Sequence, residues 1–168
     1  MPQDSAVIDR DVEGVDFALV VYREENVWRI EEIGEDRLHD LESLTAELRR
    51  WPGDFGSLGL VSIDEDFFVL VRVAGRQTRV LLSDVTAATE WPLARSVVEE
   101  LEIPMPDDED EQLPAGDLGI VADLGIPAMD MGALLDDYDL YPDELLGEVA
   151  HKLGFGVLYD EVVGPEDA

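Results

Sequence analysis

Carboxylates are the side chains whose number and spacing could do chemistry here, since 41 of the 168 residues are acidic. Five of them are consecutive, Asp107 to Glu111 in the stretch PMPDDEDEQLPAGDL. An EF-hand loop for Ca²⁺ needs acids at positions one, three and five, glycine at six and glutamate at twelve. A loop starting at Asp107 places Gln112 at six and Leu118 at twelve, and one starting at Asp137 places Pro142 at six. Both frames fail, so the sequence predicts no dedicated metal site.

Other catalytic patterns are missing from the sequence. The chain has no cysteine, and neither His39 nor His151 has a second histidine at metal-ligand spacing. No GxSxG, GxGxxG or GxxxxGK motif occurs. Among 41 acids, close carboxylate pairs arise by chance and indicate nothing specific. We therefore expect a protein that is not an enzyme and takes no cofactor, and an enzyme of unrecognised type stays open as an alternative.

The net charge of -30 is distributed unevenly along the chain. Residues 1–95 hold 20 acids and 10 arginines, whereas residues 96–168 hold 21 acids and one base, Lys152. Such a surface repels phosphate backbones, so we expect no direct binding of nucleic acid. The charge serves either solubility, including adaptation to high salt, or contact with a basic partner or cation.

The segment LLDDYDLYPDELL differs from the other acidic stretches because aromatic residues alternate with acids in a predicted loop. Acids beside tyrosines suit contact with a basic, partly apolar protein surface, although packing inside the protein would also explain the aromatic residues. Residues 107–111 are either part of such a contact or only a solvated joint. The predicted partner-binding residues are Asp107, Asp108, Glu109, Asp110, Glu111, Asp136, Asp137, Tyr138, Asp139 and Tyr141.

The pattern along residues 15–103 predicts an α+β sandwich that follows a loose acidic arm, residues 1–14. Two apolar runs in residues 15–33 indicate a hairpin, and leucines at spacings of three and four indicate a helix over residues 38–51. Three further strands and a second helix, opened by Pro92, complete the order ββαβββα. A five-stranded antiparallel sheet with helices on one face would bury these elements. The order is similar to profilin/roadblock-like sandwiches by analogy alone, which carries no function.

The remainder of the chain predicts a linker and a C-terminal subdomain. Residues 104–116 contain three prolines and a run of like charges, which favour an extended acidic linker. Residues 117–168 predict a small, mostly helical, acidic subdomain, with helices over 128–135 and from Pro142 to Gly154. Residues 155–163 suit either a strand or a helix.

A binding module for a small molecule or cation is an alternative function. The three tryptophans, Trp28, Trp51 and Trp91, could line a ligand pocket, but each adjoins an amphipathic element and is more typical of core packing.

The localisation expected from the sequence is cytoplasmic. The first 14 residues lack a signal peptide's basic and apolar regions, and no apolar run approaches the roughly 18 residues of a membrane span.

Several stretches together resemble one known family. They are VDFALVVYRE, GLVSIDEDFFVLVRV, RVLLSDVTAATEWPLA, PAGDLGIVADLG and GALLDDYDLYPDELL with the later LGFG. They are similar to the actinobacterial family of tRNA adenosine deaminase-associated proteins, over residues 15–163 and with the acidic linker in the same place. The resemblance implies association with a deaminase and brings no catalytic residue or cofactor.

The amino-acid composition limits the role that this chain can have in association with a deaminase. Zinc deaminases need cysteine ligands to hold the metal that activates water, and this chain has no cysteine. It is therefore expected to be an accessory protein that docks on a basic partner such as the deaminase, as inhibitor, chaperone or tRNA mimic. Electrostatic steering would make that association fast and sensitive to salt.

Overall fold

The computed structural model describes residues 15–51, 53, 55–104, 113–137 and 139–163. Within these residues it contains one antiparallel sheet with strand order β2-β1-β3-β4-β5-β6. The strands are β1 Val15–Glu24, β2 Val27–Glu32, β3 Ser57–Ile63, β4 Phe67–Ala74, β5 Gln77–Leu82 and β6 Ala115–Gly116. The helices are α1 Leu41–Leu48, α2 Pro92–Glu100, α3 Ala128–Leu135, α4 Pro142–Leu153 and α5 Gly156–Val163, and short 3-10 turns cover Glu35–Arg37, Val85–Thr89 and Ala122–Leu124.

Tight turns fix the register of the antiparallel strands. Glu25 and Asn26 join β1 to β2 with φ of 53° and 69°, the left-handed conformation that a two-residue hairpin requires. Asp64 and Glu65 take similar φ values, 56° and 50°, between β3 and β4. Each of these turns places its two strands side by side, β1 beside β2 and β3 beside β4. Because β1 also pairs with β3, β3 and β4 occupy the middle of the sheet.

The first face of the sheet packs against α1 and α2. Side chains such as Val20, Val61 and Val71 meet Leu44 and Val97 in one buried cluster. The side chain of Asp40 caps α1 by accepting a hydrogen bond from the Ser43 N–H at 2.8 Å. These are the two helices that the sequence predicts for one face.

The second face of the sheet is covered by α3, α4 and α5. Leu19, Leu60 and Leu70 point to this side and pack against Leu146 and Phe155. All residues of β3 and all but the last of β4 are buried, because helices cover both faces of these strands.

The structure corrects the predicted sandwich in two respects. The sheet has six strands in the described residues instead of five, because Ala115–Gly116 pairs with Leu81 and Leu82 inside the predicted linker. Two residues are too short to show an alternating pattern, so sequence periodicity could not reveal this strand. Helices also cover both faces of the sheet, whereas the prediction placed them on one.

The C-terminal region, residues 117–163, is helical at its end and packs against the sheet. Residues 156–163 are helical, and Gly154 ends α4 in the left-handed conformation with φ of 110°, as predicted. The division into a sandwich, a linker and a subdomain stays a prediction. The helices α3 to α5 of the predicted subdomain share a core with the sheet. Among the described helices none is long and apolar enough to cross a membrane.

Candidate functional site

The predicted contact residues fall in two places. Asp107 to Glu111 and Tyr138 lie outside the described residues. Asp136, Asp137, Asp139 and Tyr141 lie in the connection between α3 and α4. We call residues 136–141 the α3–α4 connection.

Local hydrogen bonds order the described part of the α3–α4 connection. The Asp139 N–H donates to Oδ1 of Asp137 at 3.1 Å, and the Tyr141 N–H donates to Oε1 of Glu144 at 2.8 Å. The second bond caps the start of α4, where Pro142 occupies the first turn. Tyr141 is 59% exposed, so the phenol projects into solvent beside the acids.

Tyr159 fixes the position of this connection relative to the sheet. Its hydroxyl donates to the Asp143 carbonyl at 2.6 Å, and its ring meets Phe17 edge to face with centroids 5.8 Å apart. Burial, followed by the nearby Asp143 and Asp160 carboxylates, raises the pKa of Tyr159, so the hydroxyl stays protonated and keeps donating. The start of α4 is thereby held at the end of the sheet where β1 begins.

The β3–β4 turn brings further acids to the same end of the sheet. Val15 pairs with Ile63, which places Asp16 next to this turn. Oδ2 of Asp16 accepts hydrogen bonds from the Ser62 hydroxyl at 3.0 Å and from the Glu65 N–H at 2.8 Å. We define the acidic end as the carboxylates at this end of the sheet together with those of the α3–α4 connection, which leads directly into α4. The first group is Asp16, Asp64, Glu65, Asp66, Asp84, Glu90, Asp143 and Glu144, and the second is Asp136, Asp137 and Asp139.

Partial burial, followed by like charges, raises two carboxyl pKa values at the acidic end. Partial burial, followed by the charges of Asp84, Asp64 and Glu90, raises the pKa of Asp66. Partial burial, followed by the charge of Glu144, raises the pKa of Asp143, and the charge of Asp16 adds to this. Among the described side chains, none of the acidic-end carboxylates lies within 4.0 Å of a base.

Two arginines toward the opposite end of the sheet, Arg72 and Arg79, are paired with carboxylates. Arg72 is 5% exposed and donates to both carboxylate oxygens of Asp123, at 2.6 and 3.0 Å, and to the Ile120 carbonyl at 3.0 Å. Arg79 donates from Nε to Asp117 at 2.5 Å. The hydrogen bond from Arg72 is the main reason that the pKa of Asp123 is lowered. These two ion pairs contrast with the acidic end, whose carboxylates have no basic partner within 4.0 Å among the described side chains.

These two ion pairs were not predicted from the sequence. Arg72 lies inside the apolar run FFVLVRV, and a buried guanidinium needs a partner. This position could therefore have indicated one of the two ion pairs. The partners lie about 40 to 50 residues further along the chain, and sequence spacing alone does not identify them.

The three tryptophans lie in different environments. Trp51 stacks on Tyr22 and Trp91 on Phe67, both against the first core. Trp28 packs on Phe55 and Phe155 against the second core, with the Arg23 guanidinium 5.2 Å from its ring centre. They do not share a pocket, which agrees with the expectation of core packing.

A surface groove and the two histidines are the other features that could hold a ligand. One groove of about 1180 Å³ runs between α1, α2 and the first half of β5, and it is lined by charges of both signs, including Arg49 and Glu99. His39 is exposed, and Nε2 of His151 lies 3.0 Å from Oδ2 of Asp160. No three metal-ligating side chains come together within the part of the chain that the structure describes.

Comparison with known proteins identifies relatives over most of the chain. The family described as Rv3753c-like tRNA adenosine deaminase-associated protein matches residues 16–156. Protein Rv3753c of Mycobacterium tuberculosis (strain ATCC 25618 / H37Rv) is 40% identical over 142 residues, which cover 83% of this chain and 82% of the relative. No solved structure matches, so the likeness to profilin/roadblock-like sandwiches stays an analogy. The chain belongs to the family of Rv3753c-like tRNA adenosine deaminase-associated proteins.

Proposed function

We propose that this protein is a non-enzymatic accessory protein that binds a tRNA adenosine deaminase through its acidic end. The observation that supports this most is the convergence of carboxylates without a basic partner from β1, the β3–β4 turn and the first turn of α4, which follows the α3–α4 connection. The family description supplies the partner. An enzyme that acts on tRNA is expected to carry a basic face, because phosphate contacts dominate its binding.

Contact with a basic surface would relieve the repulsion within the acidic end. Asp66 and Asp143 keep their charge at a cost in the free protein, since partial burial and then neighbouring carboxylates raise their pKa values. An arginine or lysine of the partner placed among them would lower both pKa values and be attracted by several carboxylates at once. The acidic end is thus suited to attract a cationic surface over a distance of about a Debye length.

Tyr141 would supply the apolar part of the contact. It is 59% exposed and adjoins Asp139 and the first turn of α4, so its ring is available to a partner. Exposed tyrosines surrounded by charge are frequent hot spots, because the ring buries a large area at a low cost in side-chain entropy. We include Tyr138 and the acids 107–111 in the proposed contact on the basis of the sequence alone.

The role that follows from this contact is competition with tRNA or protection of the basic face. An acidic protein on the tRNA-binding surface of the enzyme would act as inhibitor, chaperone or tRNA mimic. With a net charge of -30 the protein itself is not expected to bind the tRNA.

Titration of the purified deaminase with this protein at two salt concentrations tests the proposal. We expect binding at about 0.05 M salt that weakens at least about tenfold at about 0.5 M, because the Debye length shortens from roughly 14 to 4 Å. Absence of binding at low salt would refute the proposed function. Competition by tRNA for the same surface would distinguish a mimic from a partner that docks elsewhere.

A further inference from the structure

The outer edge of β2 carries hydrogen-bonding groups without a partner in the described residues. The Ile33 N–H donates to the Ala18 carbonyl of β1 at 2.8 Å, so the main chain at Ile33, and by alternation at Glu31 and Arg29, faces inward. The main-chain groups of Trp28, Ile30 and Glu32 consequently face outward. None of the described residues donates to or accepts from them.

These outward-facing groups are complementary to themselves. In an antiparallel pair of two β2 strands with Ile30 opposite Ile30, Trp28 of each copy lies opposite Glu32 of the other. All outward-facing residues then meet one another as hydrogen-bonded pairs, and each pair exchanges two main-chain hydrogen bonds. The sheet would continue from one copy into the next through a two-fold axis perpendicular to it.

The charges on β2 select this register. Arg29 and Glu31 project from the same side of the strand and are both exposed. With Ile30 opposite Ile30, Arg29 of each copy lies opposite Glu31 of the other, which gives two attractive cross-strand pairs. A shift of one strand by two residues opposes either Arg29 to Arg29 or Glu31 to Glu31, which is repulsive.

We propose that two copies of this chain associate through the β2 edge in this register and form one continuous sheet. Apolar side chains flank the edge on both faces. Val27 at the start of β2 is 50% exposed, and α5, which packs beside β2, leaves Val157 69% exposed. Exposed sheet edges commonly carry charges that repel a second edge, whereas here the two charges attract their counterparts in a second copy. The inference does not depend on the proposed function, which concerns the acidic end.

Sedimentation velocity over a range of protein concentrations tests the dimer. We expect the dissociation constant of the dimer to fall as salt rises from about 0.05 M to about 0.5 M, because salt screens the repulsion between two chains of net charge -30. Binding to the deaminase should respond to salt in the opposite direction. A failure of one of the two proposals can therefore be distinguished from a failure of the other.

A charge-swap cycle tests the register. Arg29→Glu and Glu31→Arg should each weaken the dimer about tenfold, since each turns two attractive pairs into repulsive ones, and the double variant should restore it. A simple effect of net charge would instead weaken the dimer of the Arg29→Glu variant and strengthen the dimer of the Glu31→Arg variant. Glu99→Arg, an exposed change on α2 away from β2, is the control with the same gain in charge as Glu31→Arg.

Three results would overturn the proposal. They are a monomer at all concentrations and both salt conditions, a double variant that is no better than either single variant, and a dimer that Glu99→Arg affects as much as Glu31→Arg. Far-UV circular dichroism of each variant verifies that the fold is intact. Among the described residues Arg29 pairs only with Glu24, at 3.6 Å, and both side chains are largely exposed, so little stability depends on this pair.

Discussion

Arg72 lies on a strand of apolar residues, and its guanidinium is almost completely buried against Asp123 and the Ile120 carbonyl. Arg79 on the neighbouring strand makes a similar pair with Asp117, but both side chains of that pair are more than one third exposed. The two pairs attach the segment PAGDLGIVADLG to the sheet. Their different burial should give them different contributions to stability.

Asp123→Asn should lower the free energy of unfolding by about 2 kcal/mol, because it leaves the Arg72 charge buried without its anion. The effect is smaller than for a fully buried pair, since the Asp123 side chain is 60% exposed. Asp117→Asn is the matched control and should cost less than about 1 kcal/mol. Urea unfolding measures both values, and equal losses would contradict the assigned role of burial.

Asp66→Asn should stabilise the protein at neutral pH by less than about 1 kcal/mol. The pKa of Asp66 is raised in the folded state. Its contribution to the free energy of unfolding is therefore fully present below its unfolded pKa of about 3.8 and is lost as the pH rises through its folded pKa. The gain from the substitution should therefore be largest at pH 7 and vanish near pH 3.5. Urea unfolding at the two pH values measures it; a gain that persists in acid would show a different cause.

At the scale of elements, the order ββαβββα and the helices over 128–135 and 142–153 were predictable from periodicity. The runs LGLVSI and FFVLVRV also contained a signal that the prediction did not use, since continuously apolar strands indicate helices on both faces. That signal would have placed the C-terminal helices on the second face. β6 was not predictable, because its two residues take their conformation from pairing with β5.

Because both helical layers share the strands of one sheet, we expect a single unfolding transition. Leu44→Ala on α1 and Leu146→Ala on α4 remove fully buried side chains from the first and second cores, respectively. Each should lower the stability by about 3 kcal/mol and shift the same transition. Two separate transitions in thermal unfolding, each shifted by one variant only, would instead support independent domains.

At the scale of the whole molecule, the gathering of carboxylates at one end depends on the fold more than on the sequence. The net charge and the α3–α4 connection were identified from the sequence, but Asp16, Asp66 and Asp143 come from three distant segments. Only the antiparallel pairing of β1 with β3 and the Tyr159 hydrogen bond to Asp143 bring them to one end. Arg72 and Arg79 lie toward the other end and are paired there with Asp123 and Asp117.

The most direct test of the acidic end compares two triple variants that remove the same number of charges. One is Asp136→Asn, Asp137→Asn and Asp139→Asn in the α3–α4 connection. The other is Glu99→Gln, Glu100→Gln and Glu102→Gln, three exposed acids at and just after the end of α2, away from the acidic end. Calorimetric titration of the deaminase at low salt measures the affinity of each variant.

We expect the connection variant to lose at least about tenfold in affinity, whereas the α2 variant should stay within about threefold of the unmodified protein. Equal losses for the two variants would mean that only the overall charge matters, and an unchanged affinity of the connection variant would place the contact elsewhere. Either result would contradict the assignment of the acidic end as the docking surface.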